Sequence, residues 1–177
     1  MNKLSVCVGG LLLCLCALDV RALPLVADME QNPIDAVFDR DLAQEMATPE
    51  IAFVAEACLE AWKAELEVVS RKIRGLYSHA GDRNRLEAYL KAYEHLGQVA
   101  FDLEMLNWMD DLQASPEERS VGTGGPGAAT LALAKVVRQE VLNLIDHLNR
   151  ADPENPYVFH YTNTGSILEK CRKAMQE

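Results

Sequence analysis

Apolar residues recur three or four positions apart at Ile51, Val54, Cys58, Trp62, Leu66, Val69, Ile73 and Leu76. That is the period of an α-helix. Thr48 is read as its N-cap, Pro49 as a first-turn residue and Glu50 as a favourable charge at the positive end of the dipole. Arg71, Lys72 and Arg74 suit its last turns, and Gly81 its stop. Asp82 is read as the cap of a second helix with the stripe Leu86, Leu90, Tyr93, Ala100 and Leu103, ended by Ser115-Pro116. Phe101, Met105, Trp108 and Leu112 widen its apolar face, which is the pattern of a helix buried against two neighbours. A third helix spans 128–150, with Leu131, Ala134, Val137, Val141, Leu144 and Leu148 in line.

Two shorter helices flank these. Residues 33–46 carry Ile34, Val37, Phe38 and Leu42 on one side but lack strong caps, so that helix is expected to be loosely held. Ser166-x-x-Glu169 has the form of a capping box and opens a last short helix with Leu168, Cys171 and Met175 together. Strand alternation and internal repeats are absent. The expected fold is all-α, a small helical bundle of three main helices plus short flanking helices about a single core. Val54, Trp62, Leu66, Val69, Leu90, Tyr93, Leu103, Val137, Val141 and Leu144 are its expected centre.

The N-terminal pattern is different. Lys3 precedes an apolar run from Leu4 to Leu18, and Val20-Arg21-Ala22 places small residues where a signal peptidase wants them. The run is short for a membrane span. Cys14 and Cys16 both follow leucine, which a lipobox does not. Residues 1–22 therefore read as a signal peptide, 23–47 as an N-terminal leader and 48–177 as a single helical domain, with a periplasmic or secreted destination. Cleavage would remove Cys7, Cys14 and Cys16, leaving Cys58 and Cys171. In an oxidising compartment these two are expected to form a disulfide, worth roughly 4–5 kcal/mol from loop closure. The alternative is a pair of buried free thiols.

Charge narrows the class further. The whole chain carries −10; the signal removes Lys3, Arg21 and Asp19, a net +1, and leaves −11. An acidic surface of that size disfavours nucleic acid and anionic lipid. It favours a cationic protein as partner. Asp102, Glu104, Asp110, Asp111, Glu117 and Glu118 concentrate the charge beside the loop 115–127, which holds Gly122, Gly124, Gly125 and Gly127. Asp110, Asp111, Glu117, Glu118, Gly124 and Gly125 are the expected partner-binding residues, on a loop free to adapt its shape.

Patterns for catalysis and cofactors are missing. His79, His95, His147 and His160 are scattered, and none follows a glutamate at the spacing of a di-iron bundle. There is no C-x-x-C, no G-x-S-x-G elbow, and no Gly-Lys-Ser/Thr after the glycine loop. Neighbouring acids such as Glu65 and Glu67 read as a solvated surface. No catalytic, cofactor or metal residue is expected.

Glu56-Ala-Cys58-Leu, the segment Leu86-Glu-Ala-Tyr-Leu-Lys-Ala-Tyr93 and Gly124-Gly125 ahead of an arginine-bearing helix resemble the LprI-like lysozyme-inhibitor family of small exported helical proteins. Tyr93 stands where that pattern has Trp. Its second-helix Gln, Arg-Asp pair and Cys have no counterpart here, and Lys135 lies near its third-helix Cys. The resemblance spans roughly residues 50–148. It implies a non-enzymatic envelope protein that inhibits a cationic cell-wall hydrolase such as lysozyme. An immunity protein against a secreted effector, or a structural or stress protein of the envelope, fits the same features.

Overall fold

The computed structural model describes residues 32–115 and 117–176. The signal-like residues 1–22 and the start of the leader lie outside the described residues. Five helices follow in order: α1 Pro33–Leu42, α2 Thr48–Leu76, α3 Ala80–Asn107, α4 Gly125–Ala151 and α5 Ile167–Ala174. The fold is all-α. Among the described residues the one extended pairing is an isolated antiparallel bridge between Met109 and Val121.

α4 is the central element. It packs on α2 along one side and on α3 along the other, while α2 and α3 barely meet. α1 and α5 pack on α2 and on each other. The core joins Val54, Trp62, Val69 and Ile73 of α2 to Val137, Val141, Leu144, Ile145 and Leu148 of α4. Ile34, Val37 and Phe38 of α1 and Leu168 of α5 complete it.

α1 is held more firmly than its sequence promised. Asn32 caps it by accepting the Asp35 N–H at 2.8 Å, and the helix ends at Leu42 rather than Met46. Arg138 of α4 clamps Asp35 through its Nε at 2.8 and 3.0 Å. The leader thus supplies part of the core.

The caps of the long helices also differ from the expected ones. Ala47, not Thr48, is the N-cap of α2, and its N–H donates to Glu50 Oε2 at 2.7 Å. α2 stops at Leu76, so Gly81 falls inside α3. His79 is the N-cap of α3, and Asp82 lies in its first turn. α3 ends at Asn107, well before Ser115, because the chain turns at Trp108 into the bridge with Val121.

The expected core needs one correction. Leu103 is 59% exposed, and Leu96, Val99 and Leu106 are exposed beside it. The wide apolar arc of α3 implied two neighbours, but the helix has one. It lies against α4 through Leu86 and Gly97, where an added Cβ would come within 2.6 Å of Leu133 Cδ1. Leu66, Leu90 and Tyr93 are half-buried, at the edge of the core.

The cysteine pairing is also corrected: Cys58 and Cys171 are free thiols, each buried. Cys58 faces α1 and α4, near Phe38, Trp62 and Arg138. Cys171 Sγ instead lies 3.7 Å from Sδ of Met175, the C-cap of its own helix. Burial pushes the Cys58 thiol up to about 12, which makes it a core group.

The C-terminal segment crosses the bundle without regular structure before α5. Buried Glu65 receives the Tyr157 hydroxyl at 2.6 Å and the His160 N–H at 3.0 Å. Burial and that carboxylate raise the Tyr157 hydroxyl well above its usual range. Asp41 Oδ2 accepts the Ile167 and Leu168 N–H groups at 2.6 and 3.1 Å, so α1 caps α5, its neighbour in space although distant in sequence. Ser166 accepts the Glu169 N–H at 3.0 Å, as its capping pattern implied.

Candidate functional site

The acidic loop at 108–124 is stitched together by its own polar groups. Asp110 accepts the Ser120 N–H at 3.0 Å and its hydroxyl at 2.5 Å, and these bonds hold the carboxyl below its usual range. Asp111 accepts the Gln113 and Ala114 N–H groups at 2.9 and 3.2 Å. Glu118 receives the Ser115 hydroxyl at 3.0 Å. Arg119 ties the turn down through the Ala114 and Leu112 carbonyls. Glu117 is exposed.

Gly124 and Gly125 make room for an indole. A Cβ on Gly124 would lie 2.9 Å from the Trp108 ring; one on Gly125 would lie 2.9 Å from Trp108 Cβ and 2.6 Å from Val121 Cγ1. These two glycines let the chain pass over Trp108 and enter α4. The loop expected to be free is a built turn with acidic groups on its outside.

A second feature has the form of a binding site. Because α2 and α3 diverge over α4, a groove of about 580 Å³ opens between them. Lys63, Leu66, Glu67, Ser70 and Arg74 line it from α2. Glu87, Leu90, Lys91, Glu94 and Gln98 face them from α3, and Leu133, Val137 and Glu140 form its floor on α4. Arg74 Nε donates to Glu87 Oε1 at 2.7 Å and closes the end nearest the α2–α3 turn. That pairing holds the Glu87 carboxyl below its usual range. The other end of the groove, at Lys63 and Gln98, lies toward the end of the bundle that carries the acidic loop.

Glu140 is the unusual group. Its residue is 3% exposed, and Oε1 has no hydrogen-bond partner among the described residues. A buried carboxylate normally finds donors, because leaving it bare costs several times a neutral hydrogen bond. Desolvation, with the Glu94 carboxylate second, raises Glu140 to about 7. Two cations of the walls are paired elsewhere, Arg74 with Glu87 and Lys63 with Glu60 at 2.9 Å; Lys91 makes no ion pair among the described residues and is not among the charges acting on Glu140.

None of Glu140, Glu94 or Lys63 stood out in the sequence. The spacing carried a signal, since a carboxylate three residues after Val137 and four before Leu144 sits within the apolar stripe. The histidines stay apart: His147 Nε2 lies 2.7 Å from the Tyr77 hydroxyl, and His160 Nδ1 lies 3.5 Å from Glu65. Among the described residues no three His, Cys, Asp or Glu groups stand together as a metal site. No helix there is long and apolar enough to cross a membrane. In comparisons with protein families, with characterised proteins and with solved structures, the chain matches none.

Proposed function

We propose that this chain is an exported, non-enzymatic binding protein of the cell envelope. Its partner is a cationic protein, of the kind represented by a basic cell-wall hydrolase such as lysozyme. The observation that carries the reading is Glu140: a buried, unpartnered carboxylate oxygen on the floor of an open, partly apolar groove. A cation from a partner would satisfy it. The charge of −11 on the processed chain and the acidic outer face of the loop at Asp110, Asp111, Glu117 and Glu118 would draw such a partner in. The resemblance to exported lysozyme inhibitors points the same way. The groove then supplies retention, and the field supplies the encounter rate.

The test is titration of lysozyme with the purified protein, followed by clearing of a peptidoglycan suspension and by direct binding. Inhibition that weakens with salt and is lost on Glu140→Gln supports the reading. Full lysozyme activity in a large excess of the protein, with no binding at low salt, overturns the choice of hydrolase.

A further inference from the structure

We propose that the groove between α2 and α3 receives a short helix of the partner, laid along both walls, with one lysine or arginine side chain set between Glu94 and Glu140. This inference rests on the proposed binding function and specifies the form of the partner.

The shape of the groove supports a helix. Its lining residues on α2 run from 63 to 74 and on α3 from 87 to 98, so each wall is about three turns, ~16 Å, long. α2, α3 and α4 form three corners of a bundle, and the fourth corner is open. Leu66 and Leu90 on the walls and Leu133 and Val137 on the floor offer an apolar bed. Helices dock into such beds through residues spaced three and four apart.

The charges place the cation. With the two wall helices antiparallel, Arg74 meets Glu87 at the closed end, and one to two turns further the groove reaches Glu67, Glu94 and Glu140. Glu67 already holds Arg71 on its own helix. Glu94 is the one charge that acts appreciably on Glu140, and it has the same sign. Altogether the groove presents Lys63, Arg74 and Lys91 against Glu67, Glu87, Glu94 and Glu140. The tyrosines of the α3–α4 seam make no hydrogen bond to Glu140 Oε1; their hydroxyl oxygens lie at the Asn143 amide, 2.8 Å away for Tyr93 and 3.5 Å for Tyr89. The site thus lacks one positive charge at its most buried point. A basic side chain flanked by leucine-like residues supplies both the charge and the apolar cover.

The binding should depend on pH. A cation prefers the ionised carboxylate, so affinity rises as Glu140 loses its proton. For a group titrating near 7, the ionised fraction grows about tenfold between pH 6 and pH 8.

The experiment is an amide-resonance titration of the whole protein with two probes. The first is n-butylammonium, with n-butanol as its uncharged counterpart. The second is a blocked alanine–glutamine peptide of about four helical turns. It carries one lysine, with leucines three before, one after and four after it. The proposal expects the peptide to shift residues 66, 90, 133, 137 and 140 saturably and to gain helicity on binding. Replacing its lysine by glutamine, or making Glu140→Gln in the protein, should weaken it by about tenfold or more. The protein variant should also lose the pH dependence. If butylammonium shifts the groove and the peptide does not, the helical occupant is wrong while the cation site stands. If neither probe shifts it, both this inference and the groove-based binding function fall. Glu140→Gln conserves shape, so folding is not the variable under test.

Discussion

Replacing Glu140 by glutamine should stabilise the protein, and the gain should grow with pH. In the folded chain this carboxyl is held protonated to about 7, against an ordinary value of 4.5. The unfolded chain therefore releases its proton first. Between those values the folded state binds more protons, so stability falls as pH rises. At about 1.4 kcal/mol per pH unit, the full penalty approaches ~3 kcal/mol by pH 8. The groove above Glu140 is open to solvent, which makes that figure an upper end. Glutamine keeps the shape of the protonated acid and does not ionise. The advantage of Glu140→Gln should be under about 1 kcal/mol at pH 5 and grow by about 2–3 kcal/mol on going to pH 8. Urea unfolding of both proteins at several pH values measures this. Equal stability across the range, or a variant that is less stable at pH 8, would show that Glu140 already has a cation or donor and refute the reasoning.

Three further outcomes follow from other parts of the fold. Asp41→Ala removes the carboxylate that receives the first two amides of α5 and should cost about 2–3 kcal/mol, seen as early loss of the C-terminal helix in hydrogen exchange. Gly125→Ala drives a methyl group into Val121 and Trp108; it should cost about 1–3 kcal/mol and change the Trp108 emission. Cys58 and Cys171 should both react with a thiol reagent only when the chain unfolds, and the intact mass of the purified protein should retain both thiol hydrogens.

Helical periodicity revealed most of this architecture, because α2 and α4 have a packed face and a solvated face that alternate cleanly. Val54, Trp62, Val69, Val137, Val141 and Leu144 are buried where the stripe placed them. Periodicity failed on α3. An apolar residue scores the same whether a neighbour covers it or not, so Leu103 read as core although α3 packs closely on α4 alone. The firm seating of α1 was hidden for a different reason. It depends on Arg138, over a hundred residues away, and no local pattern announces such a partner.

The candidate site was legible only in outline. The acidity of the chain and the cluster of loop acids were plain, because both are properties of the sequence itself. The groove arises from two helices that diverge over a third, which is a tertiary fact. Glu140 becomes informative only once burial is known, for on a solvated face the same residue would be one acid among 27 acidic residues. The loop acids show the reverse. Asp110 and Asp111 looked free in sequence, yet their side chains hold a turn together.

The most direct measurement is the titration of the Glu140 carboxyl carbon by NMR, alone and with saturating butylammonium. The expected midpoint is near 7 in the free protein, falling toward the ordinary carboxylate range when the amine is bound. A free midpoint near 4.5 that the amine leaves unchanged would contradict it.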